Sequence, residues 1–189
     1  GAGAAASIPR RAPGTLELSI AQRRIWFLEQ LAPGSAVSTI AARFRLEGAL
    51  DAEALARALG VVVARHEVLR TRVIGERGEP RPELVDDAPV VLGRGEAASE
   101  GEAAALLDED AGRPLDLASA PLPRATLVRV TDELHLLGVL VHHLAADALS
   151  MRVLFDELGA AMRGEAPAPL AVQYADFASN QLARAGQAE

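Results

Sequence analysis

The chain has 189 residues, of which 50% are hydrophobic, and its 19 basic and 26 acidic side chains give a formal charge of −7. This size and apolar content suit one folded domain, or one lobe of a larger one, and exclude wholesale disorder. The acidic balance leaves no basic patch of the kind that binds phosphate backbones, so nucleic acid is not an expected partner. The absence of cysteine excludes disulfides, thiolate metal sites and cysteine nucleophiles.

The sequence predicts a cytoplasmic protein without a membrane partner. Its apolar runs fall short of the ~20 residues that a membrane-spanning helix needs. Residues 1–7 lack the basic start and apolar core of a secretory signal. Residues 1–15 as a whole are rich in Gly, Ala, Pro and Arg without periodicity, and are predicted to be a flexible linker or a cloning remnant.

Apolar spacing predicts two helices and a strand in the first third of the chain. Ser19 is a candidate N-cap for a first helix, which ends at the Pro-Gly pair at 33–34. Asp51 caps a second helix, which is predicted to run to about His66. Between them, residues 39–46 have an extended pattern that predicts a strand.

The middle of the chain predicts two short strands and a helix. The strands are placed at residues 70–74 and 83–92, on either side of a turn region at 75–82 that contains glycines and prolines. Residues 95–110 are rich in Ala and Glu and are predicted to be helical.

The last third predicts a hairpin followed by two helices. The hairpin strands are placed at 124–130 and 134–141, and the second is apolar on both faces, which is typical of a central strand. Helices are predicted at 149–162 and 172–185. Strands that alternate with helices predict an α/β fold.

The chemically informative residues follow the central strand. His142 and His143 end it, and Asp147 comes four residues later. Successive strand side chains point to opposite faces, so one histidine is expected in a pocket, where an imidazole can handle protons near neutral pH. A structural alternative makes both histidines hydrogen-bonded scaffold and Asp147 the cap of the next helix. A metal site is disfavoured, because the nearest other histidine, His135, lies far along the strand.

Four segments carry a family resemblance. In chain order they are LSIAQRRIWFL at 18–28, RHEVLRT at 65–71, HHLAAD at 142–147 and YADFA at 174–178. In order and content they resemble the motifs of the condensation domains of nonribosomal peptide synthetases. The resemblance runs from about Leu16 to the C-terminus and is specific, because chance rarely places four motifs in one order.

The resemblance implies a chloramphenicol-acetyltransferase-like lobe with a mixed central sheet flanked by helices. Such domains pair two lobes around a tunnel and join an acceptor amine to a donor thioester. Both substrates arrive on the phosphopantetheine arms of upstream and downstream peptidyl carrier domains, and no cofactor is expected in the lobe itself. Because complete condensation domains are much longer, residues 16–189 are expected to be the N-terminal lobe, with the C-terminal lobe as partner and residues 1–15 following a carrier protein.

The resemblance also implies roles for individual residues. His143, the second histidine of its motif, is the expected catalytic residue, and His142 is expected to point into the scaffold. Asp147 is expected to be structural and held in an ion pair, with Arg65 or Arg70 as partner. Whether His143 accepts the proton of the amine or mainly positions the amine stays open.

The sequence departs from the family motif at one position, and three alternative functions stay open. Ala148 stands where the family usually has glycine, and Ala148 and Ser150 are expected to border the substrate tunnel. If that glycine needs a positive φ or leaves room for the substrate arm, the alanine methyl group hinders the fit. The alternatives are a carrier-docking module without chemistry, a variant that modifies its substrate, and a coenzyme A-dependent O-acyltransferase of the same superfamily. The isolated lobe is expected to be inactive.

Overall fold

The computed structural model describes residues 8–76, 78–165 and 167–187, and shows a four-stranded sheet flanked by helices beside a two-stranded sheet. The strands are β1 (Thr39–Glu47), β2 (Thr71–Glu76), β3 (Glu79–Leu84), β4 (Leu92–Glu96), β5 (Arg124–Thr131) and β6 (Leu134–His142). The helices are α1 (Ile20–Leu31), α2 (Ala52–Arg65), α3 (Glu100–Ala111), α4 (Ala148–Met162) and α5 (Tyr174–Ala185), with a 3₁₀ helix at Glu67–Arg70. None of the helices in these ranges combines the length and apolar character needed to cross a membrane.

Strand β6 lies inside the larger sheet, as its apolar character predicts. The strand order is β1-β6-β5-β4, and β6 runs antiparallel to both of its neighbours. Every residue of β6 after Leu134 is buried. Strand β4 is parallel to β5, so the sheet is mixed, and β1 and β4 form its two edges.

Apolar layers cover both faces of this sheet. On one face, Val141 lies in the larger buried cluster with Leu59 of α2 and Leu158 of α4. On the other face, Leu107 of α3 packs directly over Gly138 of β6. A Cβ atom at Gly138 would lie 2.9 Å from Leu107 Cδ2, so the absence of a side chain there lets α3 approach the sheet.

Both predicted N-caps are confirmed. The hydroxyl of Ser19 accepts a hydrogen bond from the backbone N–H of Gln22, and the Gln22 side chain accepts one from the N–H of Ser19. Asp51 accepts from the N–H groups of Glu53 and Ala54. Both helices therefore begin where the sequence signals place their starts.

The predicted strand at 83–92 is wrong. The partner of β2 is β3, which runs through Pro80 and Pro82 and follows a tight turn that contains Gly78 at φ 85°. β3 pairs only with β2 among the described strands. An edge strand tolerates proline because alternate N–H groups point away from the sheet, so the two prolines do not mark a loop here.

The predicted start of the third helix at residue 95 is also wrong. Residues Leu92–Glu96 form β4, and α3 begins at Glu100 after Ser99, whose hydroxyl accepts from the N–H of Glu102. The pairing of β4 with β5 is long-range, and the Gly-Arg-Gly sequence of β4 gives no local strand signal.

Part of the segment predicted as a linker contacts the domain. Residues 1–7 lie outside the described residues, but Arg11 pairs with Asp176 at 3.1 Å and with Glu67 at 2.9 Å. The backbone N–H of Arg11 also donates to Asp176, and Arg10 reaches the same carboxylate at 3.3 Å. These contacts hold the segment against α5, which its composition did not predict.

Candidate functional site

A cavity of about 350 Å³ lies where β6 ends, and all four motif segments border it. Each segment contributes to the polar lining, which consists of Gln22, His66, His143 with Asp147, and Tyr174, together with Ser150 just after the third segment. The remaining lining is apolar and includes side chains of α1 and α4. Among the described residues, no group of three or more His, Asp or Glu side chains is arranged to hold a metal ion.

The two adjacent histidines occupy different environments. His142 is 2% exposed, its Nδ1 accepts from the N–H of Leu144 at 3.0 Å, and its Nε2 lies 3.5 Å from Glu29 Oε1. Because Nδ1 accepts, the ring proton is on Nε2. Burial lowers the pKa of His142 against the opposing effect of Glu29, which favours the neutral form of this ring. His143 is exposed and lines the cavity, as the alternation of strand side chains requires.

Three hydrogen bonds, one within the turn and two to other parts of the chain, fix the turn that carries His143. The N–H of His143 donates to Ser38 O at 2.7 Å, and that of Ala145 donates to His142 O at 2.8 Å. The buried side chain of Gln22 donates to Leu144 O at 3.1 Å. Helix α1 therefore supports this turn directly, which gives the first motif a physical role.

Asp147 caps α4. Its Oδ1 accepts from the Ser150 N–H at 2.7 Å and from the Ser150 hydroxyl at 2.6 Å. These hydrogen bonds lower the pKa of Asp147, which is exposed. None of the ion pairs among the described residues joins Asp147 to Arg65 or Arg70, so the ion pair implied by the resemblance is absent and the helix-cap alternative describes this carboxylate.

The two arginines have other partners. Arg65 Nε lies 3.0 Å from Glu157 Oε1 on α4, and His66 Nε2 lies 2.7 Å from the other oxygen of the same carboxylate. Arg70 donates to Val85 O at 3.0 Å and lies 3.5 Å from Asp86. Arg65 therefore ties the end of α2 to α4, while Arg70 is directed to the segment after β3.

Ala148 and Ser150 differ in their relation to the cavity. Ser150 borders the cavity, whereas Ala148 is exposed and is not part of the lining. Ala148 is the first residue of α4, a conformation that any L-residue adopts, so no positive φ is required there. The concern about a missing glycine thus does not apply to the backbone of this lobe.

Several supporting contacts were not predicted from the sequence. Tyr174 shares a 3.0 Å hydrogen bond with the buried hydroxyl of Ser19, which joins α5 to α1. Gln173 accepts from the N–H of Glu67 and donates to Arg65 O at 3.0 Å. The partners of Tyr174 and Gln173 are more than 100 residues away in the sequence, so local patterns could not predict these contacts. The one signal in the sequence was that both residues lie within or beside a motif.

Replacing Asp147 by alanine is expected to lower the free energy of unfolding by about 1 kcal/mol, the usual cost of a lost N-cap. Urea unfolding followed by circular dichroism measures this change. Asp147→Asn is the matched control, because its side-chain oxygen still accepts from the Ser150 N–H, and it should remain within about 0.5 kcal/mol of the parent. Equal losses in both variants would show that charge, and not capping, is the source of the effect.

Comparison with known proteins identifies the family. Residues 13–189 match the family model for the condensation domain. A linear gramicidin synthase protein of Brevibacillus parabrevis is 37% identical over 186 residues, which cover 92% of this chain and 2% of that protein. Phosphinothricin tripeptide synthetase PhsC of Streptomyces viridochromogenes is 38% identical over 189 residues, which cover 93% of this chain and 17% of that protein.

Two solved structures share the fold of this chain, and in each the match covers less than half of the solved chain. The X-domain in its complex with OxyB from teicoplanin biosynthesis matches with TM-score 0.87 at 35% identity, over 100% of this chain and 43% of that chain. The first condensation domain of the calcium-dependent antibiotic synthetase, in complex with a substrate analogue, matches with TM-score 0.79 at 27% identity, over 90% of this chain and 44% of that chain. The chain therefore spans less than half of these solved chains. With residues 13–189 matched by the family model and its fold shared with these neighbours, the protein belongs to the condensation domain family and has a chloramphenicol-acetyltransferase-like fold.

Proposed function

We propose that this chain forms the N-terminal half of a site that makes an amide bond between two carrier-bound substrates. The observation that carries the proposal is the exposed imidazole of His143 at the edge of the cavity. It follows the buried strand β6, and three hydrogen bonds to backbone carbonyls fix the turn that carries it. An α-amino group has a pKa of about 8, and a thioester is an activated acyl donor, so positioning the amine is the main task.

In the proposed step, the acceptor nitrogen attacks the carbonyl carbon of the donor thioester. A C–N bond forms, the C–S bond breaks, and the donor arm leaves as a thiolate. The imidazole of His143 accepts an N–H hydrogen bond from the amine and orients its lone pair toward the carbonyl carbon. The proton that the nitrogen loses as the C–N bond forms ends on the thiolate, and the ring either relays this proton or only holds the amine in place. Asp147 and Ser150 act by fixing the start of α4 beside this ring.

The proposal includes partners for the lobe. Upstream and downstream peptidyl carrier domains present the two substrates on phosphopantetheine arms, and a C-terminal lobe forms the opposite wall of the tunnel. The lobe itself binds no cofactor and works in the cytoplasm. Two facts support this arrangement: the relatives are peptide synthetase proteins, and the solved domains are more than twice as long as the matched part.

Amide formation with and without the C-terminal lobe tests the proposal. Donor- and acceptor-loaded carrier proteins are mixed with either the complete condensation domain or this 189-residue chain, and the product is detected by mass spectrometry of the intact carriers. Product is expected with the complete domain alone. If the complete domain binds both carriers but forms no product, the amide-forming function is rejected.

A docking role without chemistry is the second candidate. It is favoured by the X-domain match, which covers 100% of this chain and was solved in complex with OxyB. A docking module would bind a protein partner with equal affinity whether or not His143 is present. Carrier binding that survives while amide formation is absent from the unmodified complete domain would select this candidate.

A further inference from the structure

The cavity contains a second histidine that the proposed chemistry does not use. His66 follows the last residue of α2 and lines the same cavity as His143. Its side chain is 16% exposed, and its Nε2 lies 2.7 Å from Glu157 Oε2 on α4. Two imidazoles therefore face one cavity, and one of them is already held by a carboxylate.

The partner of His66 sets the position of the ring proton. Glu157 also accepts from Arg65 at 3.0 Å. Burial raises the pKa of Glu157, but the contacts with His66 and Arg65 outweigh it and leave the pKa below its ordinary value. An ionised carboxylate can only accept, so His66 Nε2 carries the proton and donates it. In the neutral ring, Nδ1 is then left with a free lone pair.

The surrounding contacts fix the backbone on both sides of this ring. The N–H of His66 donates to Val62 O at 3.2 Å. Gln173 accepts from the N–H of Glu67 and donates to the carbonyl of Arg65, so it bonds to the residues on both sides of His66. Within the described ranges of the chain, the structure gives His66 Nδ1 no hydrogen-bond partner. A ring that Glu157 holds at Nε2, on a backbone fixed from both sides, with no partner at Nδ1 and a cavity beside it, is arranged to bind a ligand.

We propose that His66 binds substrate in this cavity, its Nδ1 accepting a hydrogen bond from an amide N–H of the carrier-bound substrate or its pantetheine arm. Glu157 and Arg65 are positioning residues for this contact. The apolar side chains of Val153 and Leu154, which also line the cavity, pack against the methylene groups beside that amide. This proposal rests on the proposed amide-forming function, since that function brings an amide-containing arm into the cavity.

Two side-chain replacements separate ligand binding from a structural role. In His66→Asn the amide oxygen can take the place of Nδ1 as acceptor, whereas in His66→Gln the longer amide can reach Glu157 in the place of Nε2. The probes are pantetheine and, for the acyl source, an N-acetylated dipeptide amide. Dissociation constants are measured by NMR titration of the 189-residue chain with both histidine rings assigned, and thermal unfolding confirms that each variant is folded.

The expected order of affinities is specific to the proposal. His66→Gln and His66→Leu should bind at least one of the two probes about tenfold more weakly, as expected for one lost hydrogen bond, while His66→Asn should stay close to the parent. The probe that loses affinity identifies the arm or the acyl group as the source of the N–H. Weak binding by His66→Asn with normal binding by His66→Gln would assign His66 a purely structural role and overturn the proposal. If the probes perturb His143 alone, the contact with His66 is wrong and the proposed function stands. If they perturb neither ring, the contact with His66 is likewise rejected, whereas the proposed function is judged by amide formation in the complete domain.

Discussion

Replacing His143 by alanine in the complete condensation domain is expected to slow amide formation by about 10²–10⁴-fold, the range for loss of a positioned acid–base group. The side chain is exposed at the end of β6, so its removal should change the free energy of unfolding by less than about 0.5 kcal/mol. The rate loss is then a loss of chemistry and not of folded protein. Single-turnover reactions with loaded carriers, followed by mass spectrometry, measure it.

His143→Gln distinguishes the two roles open to this ring. Glutamine can hold the amine by a hydrogen bond but cannot take up its proton near neutral pH. If His143 mainly positions the amine, the glutamine variant should retain much of the activity that alanine loses. Equal losses would identify proton transfer as its role, and full activity of the alanine variant would reject His143 as the catalytic residue.

Replacing Arg11 by methionine is expected to lower the free energy of unfolding by about 3 kcal/mol, near the lower end for breaking a buried ion pair. Asp176 is 1% exposed and Arg11 16% exposed, so the variant leaves a buried carboxylate without its main charged partner. The backbone N–H groups of residue 11 and Gln173 still donate to this carboxylate, and together with the contact with Arg10 they keep the loss from being larger. Urea unfolding measures the change.

Arg10 provides the matched control for this prediction. It contacts the same carboxylate but is 58% exposed, so Arg10→Met should cost less than about 1 kcal/mol.

Burial acts to raise the pKa of Asp176, but hydrogen bonds from Gln173 and Arg11 and the Arg11 charge lower it below its ordinary value. Its contribution to stability is therefore complete above about pH 4 and is lost as the pH falls through the lower pKa of the folded state. The Arg11 variant should lose part of this acid dependence, and equal effects of the two replacements would show that burial of the pair does not matter.

Local signals in the sequence were enough to predict much of the fold. The caps at Ser19 and Asp51 and the hairpin of β5 and β6 depend on residues close together in the chain, and all three were predicted correctly. Strands β3 and β4 were not, because each is defined by its partner. β3 contains prolines that an edge position tolerates, and β4 forms a strand through its pairing with β5.

In the candidate site, too, features set by local sequence were predicted and contacts between distant residues were not. Strand alternation predicted that His142 and His143 would separate, and the structure places one in the core and the other at the cavity. The partners of Arg65 and His66 could not be predicted, because Glu157 lies about 90 residues from the end of α2 and carries no motif signal. Family resemblance identified which segments meet, whereas the pairing of charges within them required the folded chain.

The exposed edge strand β1 has a consequence for solubility. An unpaired strand edge invites another molecule to extend the sheet. Arg43 and Arg45 of β1 pair with Asp108 at 3.2 Å and with Glu100 at 3.0 Å on α3, and keep roughly half of their side chains in solvent. A second copy of β1 laid along this edge would bring arginines beside arginines and disturb these pairs. The charges that brace α3 on the sheet therefore also protect the molecule from strand-to-strand aggregation.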